Sequence, residues 1–110
     1  MNPNFELLRL VLLYLEATQR SPPEPIFIDV SDLAARFDDR AANVRESLLL
    51  LEERGFIEGP GPYGANSYIF RKLTRKGRIL FDALRDPRDW EAAKTLYLPE
   101  ERVGRSRKAE

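Results

Sequence analysis

Apolar residues crowd the start of the chain. Leu7, Leu8, Leu10, Val11, Leu12, Leu13, Tyr14 and Leu15 fall so close together that they occupy nearly the whole circumference of a helix that opens at Phe5 and runs to about Thr18. A helix on the surface of a domain shows one apolar stripe. This one needs cover on several sides, from its own domain, from a C-terminal helix or from a second copy. Asn4 can cap it, and Glu6 suits its positive end. Ser21-Pro22-Pro23-Glu24-Pro25 stops it, because proline there cannot extend a helix. The period then changes to two, with Ile26, Ile28 and Val30 on one face, which predicts a short strand over 26–30. Ser31 is placed to cap a short second helix, with Leu33, Ala34 and Phe37 inward. Asp38-Asp39 marks a turn that can cap a third helix over 40–54. There Ala41, Val44, Leu48 and Leu51 recur at helical spacing, and Gly55 is the left-handed stop.

Two strands follow, at 56–58 and 67–73. Residues 59–66, rich in Gly and Pro, read as a loop too long for a tight turn. In the second strand Ile69 and Leu73 are expected to seal the core with Arg71 toward an edge, while Tyr68, Phe70 and Lys72 share the opposite face. Thr74 caps a fourth helix carrying Ile79, Leu80, Phe81 and Leu84. Asp86-Pro87 restarts the chain as N-cap and first helical residue of a last helix, with Trp90, Ala93 and Tyr97 on one side. Residues 1–98 read as one domain, and 99–110, polar and charged, as a loose tail. The predicted class is α+β and mostly helical. Helix, strand, helix, helix, strand, strand and extra C-terminal helices is the order of a winged helix-turn-helix with a small antiparallel sheet.

The closing segment resembles an uncharacterised family of small winged-helix proteins of bacteria and their prophages, a domain of unknown function. Its members end in Leu-Thr-x-x-Gly, a pair of bulky apolar residues, Asp-Ala-(Ile/Leu)-Arg-Asp and a Trp shortly after. Here Leu73, Thr74, Gly77, Leu80, Phe81, Asp82, Ala83, Leu84, Arg85, Asp86 and Trp90 stand in that register, and Lys94 matches a common basic position. The apolar opening and Gly55-Phe56-Ile57-Glu58-Gly59 are similar as well. The chain departs from the pattern at Arg75, where many members carry an aromatic, and at Glu46-Ser47, where many carry Tyr-His. The resemblance implies a winged helix in a mobile-element or regulatory setting. It implies no activity and no catalytic residue.

Composition narrows the chemistry. The 110 residues include no cysteine and no histidine, which removes disulfides, thiolate metal sites and most routes to acid–base or nucleophilic catalysis. No enzyme, metal site or cofactor is expected. Lys plus Arg and Asp plus Glu stand at 18 each, whereas a nucleic-acid domain is usually basic. The opening apolar run is too short to span a bilayer and lacks the flanks of a signal peptide, so the expected location is the cytoplasm, with no membrane partner.

Two surfaces are candidates for binding double-stranded DNA. The early residues of a third helix in this fold reach base edges. Arg40, Asn43 and Arg45 lie there and have the right chemistry, arginine for guanine and asparagine for adenine. Arg71, Lys72, Arg75, Lys76 and Arg78 straddle the end of the hairpin and the start of the fourth helix, where free backbone N–H groups suit a phosphate. Against this, Asp38, Asp39, Glu46, Glu52 and Glu53 would oppose phosphates. A third surface, Leu10, Leu13 and Tyr14 of the first helix with Trp90 and Tyr97 of the last, is either intramolecular packing or a homodimer interface. The leading expectation is a small DNA-binding transcriptional regulator. The alternative is a protein–protein adaptor that keeps the fold without touching DNA.

Overall fold

The structure, a computed structural model, describes residues 5–84 and 86–97. Asn4, Arg85, the side chain of Tyr97 and the tail lie outside the described residues. Helix α1 (Phe5–Thr18) leads to strand β1 (Ile26–Asp29), helix α2 (Val30–Arg36) and helix α3 (Ala41–Glu53). Strands β2 (Ile57–Glu58), β3 (Gly61–Tyr63), β4 (Ser67–Phe70) and β5 (Lys72–Leu73) follow, then helices α4 (Arg75–Ala83) and α5 (Pro87–Tyr97). The fold is α+β and mostly helical, with small antiparallel sheets.

The core forms where the apolar faces of α1, α3 and the sheet meet. Leu7, Leu8, Val11, Leu12 and Leu15 of α1 are buried against Val44, Leu48 and Leu51 of α3 and against Tyr68 and Phe70 of β4. The surplus of apolar residues on α1 is therefore mostly used within the domain. Leu10, Leu13 and Tyr14 are half-buried, and the Tyr14 ring meets Phe37 edge-on at 6.4 Å. Trp90 and Ala93 bring α5 into the same core, and Lys94 lies over the rings of Phe5 and Trp90.

The caps differ from the sequence-based expectation. Asp29, not Ser31, caps α2 by accepting from the Asp32 N–H at 3.0 Å. A residue two places earlier wins because the helix already begins at Val30. Asp38 caps nothing; it takes a left-handed conformation, φ 56°, and closes α2. The Asp39 N–H bonds Ala34 O and the Asp38 N–H bonds Ala35 O, a stop that Asp can fill without glycine. Helix α3 starts at Ala41, with Arg40 as an N-cap that makes no side-chain cap bond. Gly55 (φ 80°) ends it as expected, with the Phe56 N–H on Leu51 O and the Gly55 N–H on Glu52 O.

The hairpin also departs from expectation. Residues 59–66 are not one open loop. Gly61–Tyr63 pairs with β4 in the register Gly61 to Ile69 and Tyr63 to Ser67, leaving three residues for the turn. Strand β4 lies between β1 and β3, with Ile28 opposite Tyr68 and Phe27 opposite Ile69. The expected single strand over 67–73 breaks at Arg71, and Lys72–Leu73 pairs separately with Ile57–Glu58. The faces of β4 are also the reverse of those expected. Tyr68 and Phe70 fill the core; Ile69 is buried as expected, but on the other face of the sheet, beside Phe27. Leu73 is buried as expected, because the interruption restores its phase.

Candidate interaction surface

The outward stripe of α3 consists of Ala42, Glu46, Leu49 and Glu53, all exposed. Its charge is negative. The three base-reading candidates lie at its margin, and local structure occupies two of them. Asn43 donates from Nδ2 to Asp39 Oδ1 at 2.8 Å, and the same oxygen accepts from the Arg40 N–H at 2.7 Å. Together with the nearby Arg40 charge these bonds hold the Asp39 carboxyl below its ordinary value. Arg45 donates to Ala65 O and so joins α3 to the hairpin turn. The Arg40 side chain is exposed at the helix start.

The turn itself is fastened to α2. Asn66 donates from Nδ2 to Asp29 Oδ1 at 3.0 Å and accepts from Ser31 Oγ at 2.6 Å, while the Val30 N–H donates to Asn66 O at 2.8 Å. Asp29 thus serves the helix cap and the turn at once. Sequence reasoning missed this clamp. Its only trace was an Asn directly before a strand, a residue type suited to turns.

The second basic set sits at the far end of α3. Lys76 donates to Arg54 O at 2.9 Å and lies 4.9 Å from the centre of the Phe56 ring, so it marks the C-terminal end of α3, where a cation meets the negative helix end. Arg40 is at the other end. A helix of 13 residues is about 20 Å long, so Arg40 and Lys76 lie at opposite ends of it. Arg71 pairs with Glu58 at 3.0 Å and Arg78 with Glu16 at 3.6 Å. Lys72 is half-buried and Arg75 exposed. The free N–H expected at the start of α4 is partly answered from within, since Thr74 Oγ1 accepts from the Gly77 N–H at 3.1 Å.

The most exposed aromatics among the described residues are elsewhere. Phe27 (66% exposed) and Tyr63 (64%) stand on the outer face of the sheet, edge to face with ring centres 5.9 Å apart. The sequence shows Phe27 out of phase with Ile26 and Ile28, yet gives no sign that Tyr63 meets it, because the Gly- and Pro-rich stretch that forms β3 carries no strand alternation.

No helix among the described residues is long and apolar enough to cross a membrane. Among those residues no group of three or more acidic side chains is placed to hold a metal ion. No family model, no curated protein and no solved structure matches the chain.

Proposed function

We propose that the chain is a winged-helix module that works by contacting another protein rather than by reading duplex DNA. The order of elements supports the winged-helix assignment, with β1 beside β4 and the β3–β4 hairpin following α3. The resemblance of the closing motif points the same way and brings with it a bacterial or prophage setting. The reading assigns no catalytic residue.

One observation carries the choice of partner. The stripe of α3 that would face the floor of a major groove presents Glu46 and Glu53, and carboxylates there oppose the phosphate-derived field that supplies most nonspecific DNA affinity. The test is a titration of mixed-sequence duplex DNA at low salt, read by fluorescence anisotropy. No salt-dependent binding is expected. Binding that weakens steeply with salt and with Arg40→Glu overturns the reading.

DNA binding by a small regulator remains the second reading, favoured by the exposed Arg40 and by Arg45 holding the hairpin turn against α3. In that case Arg40 and Arg45 make the sequence-facing contacts. Reversal of Arg71 and Lys72 to Glu then weakens binding to all duplexes alike, since phosphate contacts fix register rather than sequence.

A further inference from the structure

We propose that the exposed side of α4, with β5 and the end of α1, docks an acidic segment of another protein, one that carries a bulky apolar residue among its carboxylates. The inference rests on the protein-contact reading above and adds the surface and the chemistry of the partner.

Three elements bring the cations together. The Leu73 N–H donates to Gln19 Oε1 at 2.8 Å, which sets the end of α1 beside β5. Arg78 pairs with Glu16 at 3.6 Å, which sets α4 against α1. Arg20, Lys72 and Arg75 follow or flank those contacts in sequence and so stand around one junction. Arg20 and Arg75 are exposed and Lys72 is half-buried. None of the three has an acidic partner among the described residues. Local stability does not call for this arrangement. Helix α4 opens with Arg75 and Lys76 and has no acid in its first turn, although the positive end of a helix favours acids and disfavours cations.

Ile79 decides which kind of anion fits. It is 48% exposed, one turn beyond Arg75 on the same face, and exposed Asp82 follows one turn further. Lys76, held on Arg54 O, and Arg78, held on Glu16, border this stripe. Duplex DNA carries dense, evenly spaced charge, which would meet Asp82 as well as the cations and would leave Ile79 against phosphate. An anionic bilayer needs an apolar face to bury, and one half-exposed isoleucine on a helix of 9 residues supplies too little. A polypeptide places its side chains one by one. It can set carboxylates toward Arg20, Lys72 and Arg75, an apolar side chain on Ile79, and no acid at Asp82. The chain as a whole is neutral, so the attraction is local. Helix α4 is about 14 Å long, which places the contact in the small, transient class below about 1,200 Å², with affinity in the micromolar range.

The test is fluorescence anisotropy of the full chain with a fluorescein-labelled peptide of glutamates around a single leucine. Micromolar binding that weakens with added salt is expected, since exposed charge pairs are screened. Arg75→Glu and Ile79→Ser should each weaken it about tenfold. Replacing the peptide's leucine by serine should do the same, and Ile79→Ser should then add little, the coupling expected of two groups in contact. Leu49→Ser, at an exposed position on α3, should leave binding unchanged, and all three variants should keep the wild-type melting temperature. No binding overturns the proposal. Binding indifferent to Ile79→Ser also does, because a patch that holds any polyanion needs no apolar anchor. Capture of the chain through Arg75 by phosphatidylserine–phosphatidylcholine vesicles would make the occupant a membrane. Sedimentation as a dimer that Arg75→Glu dissociates would make it a second copy. Either result overturns the proposal. Salt-dependent binding to mixed duplex DNA sinks the protein-contact reading itself, whereas failure to bind the peptide without DNA binding sinks this inference alone.

Discussion

The Tyr68 hydroxyl donates a 2.7 Å hydrogen bond to Glu52 Oε1, tying the central strand of the sheet to α3. Burial, that bond and the Glu52 charge push the Tyr68 phenol far above its ordinary value of 10.0. A group whose value is raised on folding stabilises the fold fully below its unfolded value and loses that contribution as pH rises through the folded one. Above about pH 10 the unfolded chain releases a proton that folded Tyr68 retains. Tyr68→Phe should cost about 0.5–1.5 kcal/mol at neutral pH. The gap between wild type and variant should narrow from pH 10 upward, followed by urea denaturation across pH. A gap independent of pH would show that the phenol proton plays no part.

Gly77 gives the strongest single-site expectation. In a helix interior Gly→Ala normally gains about 1 kcal/mol. Here a Cβ would stand 1.9 Å from Phe56 O and 2.9 Å from Phe56 C, and backbone cannot swing aside as a side chain can. Gly77→Ala should therefore destabilise by about 3 kcal/mol or more, at the upper end for overpacking. Chemical denaturation checks the sign. The same geometry explains the Leu-Thr-x-x-Gly motif physically: Thr74 caps α4 through Gly77 N and bonds Gly55 O at 2.5 Å, and Gly77 lets the two segments touch.

Asp39 sets the acid behaviour of the α2–α3 turn. Its carboxyl is held low by Asn43 and the Arg40 N–H, so its contribution is present above its ordinary value of 3.8 and is lost as pH falls below that point. Asn43→Ala should cost roughly 0.5–1.5 kcal/mol at pH 7 and should make stability fall less steeply between pH 4 and acid unfolding. Parallel acid titrations of the two proteins, followed by circular dichroism, test this.

Trp90 holds α5 to the body of the domain and is only 8% exposed. Trp90→Ala should cost about 3–5 kcal/mol. Release of α5 should also raise amide exchange along Pro87–Tyr97 more than along α3. Uniform acceleration over the chain would mean that α5 is part of one cooperative unit rather than a separately docked segment.

The sequence foretold some levels of this molecule and not others. Helix periodicity located α1, α3 and the stop at Gly55, since these depend on local spacing and on a residue that tolerates positive φ. The caps were shifted because Asp29 and Ser31 are both good capping residues, and only the clamp through Asn66 decides between them. The face assignment of β4 failed for a long-range reason. Alternation over 67–73 is continuous in sequence, but the ladder changes partner at Arg71, and that change depends on where β2 and β3 lie. The binding candidates show the same limit. Residue type identified Arg45, Asn43 and Lys76 as suitable for DNA, yet their hydrogen bonds to Ala65, Asp39 and Arg54 arise only once distant segments meet.

The lacing between the end of α3 and the start of α4 bears on how far the chain can be trimmed. Arg54 O accepts from Lys76, Gly55 O from Thr74 Oγ1, and Phe56 O from the Thr74 N–H. A fragment cut after the hairpin would lose all three donors along with Leu80, Leu84 and Trp90 from the core. The two closing helices are thus not an appendage to a minimal module, and an expression fragment that omits them should be recovered as aggregate.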